Sequence, residues 1–186
     1  MRLWKDEIDS PVGRLHLYVM PSNGALCALE FDSGSRRPHA GTPASLRARF
    51  ETVEVEHRDD PGGYSSRLHA YFDGDMAVLD SIPVELHGTD FQKTVWKALR
   101  RLRAGETTSY GALALAIGRA GASRAVGLAN GSNPAAIVVP CHRVIGANGT
   151  LTGYGGGLDR KRWLLDHERA HAGRVRTLFQ PAASRA

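Results

Sequence analysis

Short apolar runs alternate with turn signals over the first third of the chain. Leu3 to Ile8, Arg14 to Val19 and Ala25 to Phe31 are rich in apolar, β-branched and aromatic residues. Ser10-Pro11-Val12-Gly13 and Pro21-Ser22-Asn23-Gly24 separate them as turns. This pattern predicts a three-stranded antiparallel meander. Asp32 to Pro43 is rich in Gly, Ser, Pro and Arg and reads as a loop. Two short helices are expected, near Ala44 to Glu51 and Gly63 to Phe72. Ile82 to His87 then leads into a second domain.

From Thr89 the periodicity becomes helical. Thr89-Asp90-Phe91-Gln92 fits a capping box, with Thr89 as N-cap and Gln92 at N3. Phe91, Val95, Leu99 and Leu102 recur at helical spacing as one buried stripe, and Gly105 ends the helix. Ser109 to Ile117 reads as a second helix, Gly118-Arg119-Ala120-Gly121 as a tight turn, and Ala122 to Asn130 as a third helix. Helix, short Gly-containing turn, helix is the helix-turn-helix pattern. The third helix is built of Ala122, Ser123, Ala125, Gly127, Ala129 and Gly131, with one long charged residue, Arg124. Two readings fit such small residues: tight packing against a neighbouring helix, or a helix pressed into a DNA groove with Arg124 reaching inward. The chain thus divides into an α/β domain at 1–88, a helix-turn-helix domain at 89–170 and a loosely ordered tail at 171–186.

Charge sharpens this division. The net charge of +5 conceals 9 Lys/Arg against 14 Asp/Glu before Thr89, and 15 against 5 from Thr89 onward. The basic second half points to a polyanion partner or to a solvated basic face. No run of eighteen apolar residues marks a membrane span, and the start MRLWKDEIDS lacks the apolar core of a secretory signal. Cys27 and Cys141 stand far apart, without partners at metal-ligand spacing, so neither zinc nor a disulfide is expected. The composition reads as a cytoplasmic protein with reduced thiols.

The candidate chemistry lies near Cys141. Ile137 to Val144 reads as an apolar strand that delivers Pro140, Cys141 and His142. A neighbouring base activates a thiol by taking its proton. Adjacent side chains on a strand point to opposite faces, so His142 would need a water or a bend to reach the sulfur. A buried structural cysteine beside a chance histidine is the commoner outcome for such a pair taken alone. Leu158 to Arg169 reads as a helix, and Glu168 falls within its apolar face, where a carboxylate needs a partner. That partner is either His142, giving a Cys-His-Glu arrangement, or an arginine such as Arg143. Gly149 to Gly157 is too Gly-rich for a regular element, and Tyr154 among its glycines suggests a pocket wall. The spacing matches no phosphate loop.

Pro140-Cys141-His142-Arg143-Val144 resembles the active-site motif of the O6-alkylguanine-DNA alkyltransferases. The resemblance runs from Thr89 to Glu168, through Thr108-Ser109-Tyr110-Gly111, Ser123-Arg124-Ala125-Val126-Gly127, Asn130-Gly131-Ser132-Asn133-Pro134 and Gly153-Tyr154-Gly155-Gly156-Gly157. It implies a ribonuclease-H-like N-terminal α/β domain with a small antiparallel sheet, followed by a mostly helical, winged-helix-like DNA-binding domain. It also implies a monomer that acts on double-stranded DNA containing O6-alkylguanine, with O4-alkylthymine as a second candidate lesion. The helix-turn-helix enters the minor groove, and the damaged base is flipped into a pocket. By position, Cys141 is the nucleophile, His142 takes its proton through a water, and Glu168 orients His142. Tyr110 assists flipping and protonates the departing guanine. Arg124 fills the gap in the base stack, and Ser123, Ala125 and Ala129 share its DNA face. Asn133 is the hinge between recognition helix and active-site segment. Val144, Tyr154, Gly155 and Gly156 line the pocket.

No cofactor is implied, because the damaged base is itself the alkyl donor. Cys27 lacks the companion ligands of the zinc site found in some family members, and Gly155 replaces a hydroxyl residue found in others. Two other readings compete. One is a non-enzymatic helix-turn-helix binder, such as a regulator or a damage flagger, of which the flaggers lack the nucleophilic cysteine present here as Cys141; the other is a Cys-His-Glu hydrolase, which would turn over repeatedly.

Overall fold

The computed structural model describes residues 1–32, 46, 50 and 52–172. The expected helix near Ala44 to Glu51, most of the Asp32 to Pro43 loop and the tail from residue 173 lie outside the described residues.

The meander forms as the alternation predicts. Strands β1 (Arg2–Ile8), β2 (Leu15–Val19) and β3 (Leu26–Phe31) pair antiparallel in sequence order. Leu15, Leu17 and Val19 alternate along β2 and enter the main core, while Tyr18 points to the other face. A fourth strand, β4 (Glu54–His57), adds parallel to the far side of β1, giving the order β3-β2-β1-β4. The sequence reading missed it, because Val55 is its one apolar residue and the other three, Glu54, Glu56 and His57, are polar and exposed. Opposite the main core, Leu3, Tyr18, Cys27, Ala28 and Leu46 form a smaller cluster.

The second half is stitched to the free edge of β3. The Leu29 N–H donates to the Pro134 carbonyl and the Ala136 N–H donates back to Leu29, each at 2.9 Å. Within the first half, the segment leading to Thr89 uses the same edge: Leu26 makes a like reciprocal pair with Pro83 and Glu85 at 2.9 and 3.0 Å. A sheet edge that would otherwise be unpaired thereby fixes the chain leading to Cys141.

Helix α1 (Tyr64–Phe72) lies in the first half. Helix α2 (Asp90–Leu99) begins with the predicted capping box, in which both Thr89 and Gln92 make their hydrogen bonds. It stops at Leu99 rather than near Gly105, because Arg101 and Leu102 turn back to the carbonyls three residues earlier. Strand β5 (Thr108–Ser109) precedes α3 (Tyr110–Ala116) and α4 (Ser123–Gly131), the expected helix pair. β5 pairs parallel with β6 (Val144–Ile145), and α5 (Leu158–His171) closes the described chain. One continuous core draws on the sheet, on α1 and on every helix of the second half.

The predicted strand from Ile137 to Val144 does not form. Residues 136–138 are turns, and Cys141–Arg143 form a single 3-10 turn. Asn133 explains the difference. Its side-chain oxygen accepts from the Ala135 N–H at 3.1 Å, and its amide donates to the Val139 carbonyl at 2.8 Å. These bonds replace the strand partner that an extended run would need. Ile137 is held at φ 69 while only 1% exposed. That conformation costs a β-branched residue of the order of 1–3 kcal/mol, and it persists because the chain is pinned on both sides.

Candidate active site

Cys141 sits at the start of the 3-10 turn, buried at the floor of a cavity of about 240 Å³. Successive residues of such a turn diverge by about 120° rather than the 180° of a strand. His142, wholly buried, thus diverges less from the thiol than the strand reading implied. Asn130, on α4, donates from its side chain to the Cys141 carbonyl at 3.3 Å, which ties the nucleophile's backbone to the second helix of the pair.

His142 Nε2 lies 2.8 Å from Glu168 Oε1. With the carboxylate as acceptor, this bond places the ring proton on Nε2 and leaves a lone pair on Nδ1. Nδ1 is buried and has no hydrogen-bond partner among the described residues. Burial lowers the His142 pKa while Glu168 pulls it upward, so the neutral ring dominates at rest.

Glu168 answers both readings of its partner. Arg143 donates to it from Nε at 2.9 Å and from a terminal nitrogen at 2.7 Å, while His142 and the hydroxyl of Tyr71, at 2.9 Å, also reach Oε1. The Gly105 N–H donates to Oε2 at 3.2 Å. Gly105 lies at φ +82, and a Cβ there would stand 2.7 Å from that of Ala172, so this turn favours glycine. Burial opposes the charge on Glu168, but His142 and Arg143 together hold its carboxyl well below the usual range.

The Cys141 thiol is pushed up by burial. A hydrogen bond from Asn133 and the charge of Lys161 work against that rise. Lys161 is itself fully buried and donates to the carbonyls of Val144 and Thr152 at 2.6 and 2.7 Å. The sequence reading missed Lys161. It shares one face of α5 with Leu164, Leu165 and Glu168, so a helical wheel would have found it.

Tyr154, Gly155 and Gly156 line the cavity, as does Asn133. Val144 does not: it is fully buried and pairs with Thr108. Leu29, Glu30 and Phe31 at the end of β3 supply the opposite wall, which no local sequence signal indicated. The Phe31 ring would stand 2.7 Å from a Cβ at Gly156, so that glycine permits the close approach of the two halves. The Tyr154 hydroxyl is buried without a partner among the described residues.

Tyr110 lies between α4 and the Gly-rich loop. A Cβ on Gly127 would be 3.7 Å from its ring, and its hydroxyl donates to the Thr152 carbonyl at 3.3 Å. On α4, Ser123, Arg124 and Ala125 are exposed. Ala129 is not: it is 3% exposed, and its carbonyl accepts the Trp96 indole N–H at 2.8 Å. At about 100° per residue, the outward crown of the helix is Arg124, Gly127, Leu128 and Gly131. Leu128 is 74% exposed, so Arg124 is not the only long side chain on that crown.

Among the described residues, one group of possible metal ligands lies close together: Asp6, His57 and Asp59. Asp6 already accepts from Ser65, from the Asp60 N–H and from the Glu7 N–H. No described helix is long and apolar enough to cross a membrane.

Residues 90–170 match the family model described as 6-O-methylguanine DNA methyltransferase, DNA binding domain. The chain is 59% identical over 175 residues to a methylated-DNA–protein-cysteine methyltransferase of Mycolicibacterium paratuberculosis, covering 92% of this chain and 96% of that one. It is 46% identical over 168 residues to a protein of the same name from Shigella flexneri, covering 90% and 96%. Among solved structures, it resembles Mycobacterium tuberculosis OGT in complex with DNA, with TM-score 0.70 and 43% identity over 92% of this chain and 94% of that one.

Proposed function

The chain belongs to the methylated-DNA–protein-cysteine methyltransferase family, which repairs alkylated DNA by direct transfer, and we propose that Cys141 is the residue that takes the alkyl group. The observation that carries this reading is the His142–Glu168 pair beside Cys141, with Nδ1 of His142 left as the one unsatisfied basic atom of the relay. The Cys141 proton passes to Nδ1, directly or through one water. The sulfur attacks the O6-alkyl carbon in line, the carbon–oxygen bond breaks, and a thioether forms. The departing guanine takes a proton from Tyr110, which regains one from solvent. A thioether has no easy hydrolytic route back, so each chain acts once.

The base reaches the cavity by flipping out of the duplex, with Tyr154, Gly155, Gly156 and the end of β3 around it. The Tyr154 hydroxyl is an available donor there. The meander with one added parallel strand supports the ribonuclease-H-like reading of the first half. The helix pair with the β5–β6 pairing supports the winged-helix-like reading of the second.

Intact-protein mass spectrometry after incubation with an oligonucleotide carrying O6-methylguanine tests the reading. One methyl mass per chain is expected, mapped by peptide analysis to Cys141. Repeated turnover without a stable adduct would favour a hydrolase instead.

Arg124 is assigned to the space left by the flipped base, because it is exposed on the crown of α4. Unstacking a base costs a few kcal/mol. Arg124→Ala is therefore expected to lose most of its activity on duplex O6-methylguanine yet to react almost normally with free O6-benzylguanine. Second-order rate constants on both substrates decide it, and equal losses would return Arg124 to a structural role.

A further inference from the structure

The relay described above ends at Glu168, but its environment does not. Tyr71 comes from α1, in the first half of the chain, and is fully buried. Its hydroxyl donates to Oε1 of Glu168 at 2.9 Å, the same oxygen that His142 uses at 2.8 Å. The Tyr71 ring belongs to one aromatic cluster with Phe72, at 5.3 Å between centroids, and His167, at 5.4 Å, which are themselves 6.4 Å apart. Nε2 of His167 lies 2.9 Å from the Tyr71 carbonyl. The hydroxyl is therefore fixed in place from α1 and α5 together.

We infer that Tyr71 is a positioning residue for alkyl transfer, through which the first half of the chain sets the orientation and charge of the carboxylate that steadies His142. This rests on the reading of His142 as the base. Burial and the nearby carboxylate raise the Tyr71 pKa well above its ordinary value, so the hydroxyl stays a donor throughout the working pH range.

The direction of its effect follows from competition at one oxygen. A carboxylate that shares charge with Tyr71 has less to offer the imidazolium that forms when Cys141 gives up its proton. Removing the hydroxyl leaves Glu168 less well held but returns charge to His142. The first effect slows transfer, and the second raises the His142 pKa. The acid limb of the pH–rate profile reports the loss of the His142 proton, so it moves to higher pH. The other titratable or charged groups facing this pair are Arg143 on the same turn, Lys161 and His167 on α5, Cys141, and Tyr154 on the Gly-rich loop. All are unchanged by the substitution. Gly105 contributes only its amide.

The test is single-turnover transfer from a saturating O6-methylguanine oligonucleotide, as a function of pH. Wild type, Tyr71→Phe, Glu168→Gln and the double variant are compared, each below its unfolding transition. Tyr71→Phe is expected to slow the plateau on the order of ten-fold, as for loss of a hydrogen bond to a charged group, and to move the acid limb upward. Glu168→Gln moves the limb downward, because it removes the negative charge. In the double variant the Tyr71→Phe shift of the acid limb should vanish, since glutamine keeps an acceptor oxygen but carries no charge for the hydroxyl to draw away from His142. A Tyr71→Phe profile that superimposes on wild type, or effects that add in the double variant, would overturn the inference. If Glu168→Gln alone matched wild type, the relay itself would fall. Proton NMR gives a measurement that does not need Tyr71→Phe to fold. The Tyr71 hydroxyl proton should appear downfield in wild type and move upfield in Glu168→Gln. An unshifted resonance would also overturn the inference.

Discussion

Cys141→Ser is expected to bind DNA as wild type does and to transfer no detectable alkyl group. The chain carries two cysteines, and their surroundings differ in kind. Cys27 is buried on the outer face of the sheet, its thiol donating to the Tyr18 carbonyl at 3.3 Å, and burial pushes its pKa up to about 12. The charge that acts on it is the Glu85 carboxylate, which raises the thiol pKa further and so opposes a thiolate. Cys141 is also raised by burial, but the Asn133 hydrogen bond and Lys161 oppose the rise, and His142 stands next in the chain. The resting thiol is therefore protonated, and the thiolate arises only as His142 takes the proton. A serine hydroxyl is a far weaker acid than a thiol, so the same base cannot generate the nucleophile. Transfer is measured as radiolabelled methyl retained on protein, and binding by fluorescence anisotropy. Normal transfer by Cys141→Ser, or label on Cys27 in wild type, would sink the assignment.

The parts of this arrangement that were legible in the sequence are those governed by neighbours in the chain. The capping box at Thr89 and Gln92 is local, and both its bonds form as read. The placement of Glu168 on an apolar helix face followed from spacing alone, and the carboxylate is fully buried there. What failed depends on distant partners. The run Ile137 to Val139 is as apolar as any strand, yet Asn133 and the edge of β3 hold it in turns. β4 carries no apolar alternation because it is a mostly exposed strand, placed by backbone pairing to β1 some fifty residues earlier. Ala129 looked like its small neighbours on α4, but the helix phase turns it toward Trp96. The first half's share of the site, Phe31 on the wall and Tyr71 on Glu168, is visible only once the two halves are joined.

Glu168→Gln is expected to slow alkyl transfer by about 10²–10⁴-fold, the usual weight of a positioned base, while leaving DNA binding intact. Two consequences of the substitution must be told apart. Among the described residues the carboxylate is the one acidic partner of Arg143, which is 6% exposed. Removing one partner of a buried pair commonly costs 3–5 kcal/mol of stability, so the variant should unfold at lower temperature. That loss concerns the whole fold and does not bear on the rate of molecules still folded. The rate falls for a different reason: His142 must become an imidazolium within a fully buried site. Without the negative charge at 2.8 Å, nothing offsets the cost of creating that cation. A glutamine can still accept a hydrogen bond from Nε2 and keep the tautomer, so geometry survives while charge stabilisation does not. The decisive measurement is the single-turnover rate at a temperature where circular dichroism shows both proteins folded. A folded Glu168→Gln variant that transfers at the wild-type rate would make Glu168 only the counter-ion of Arg143, and His142 would then need another source of basicity.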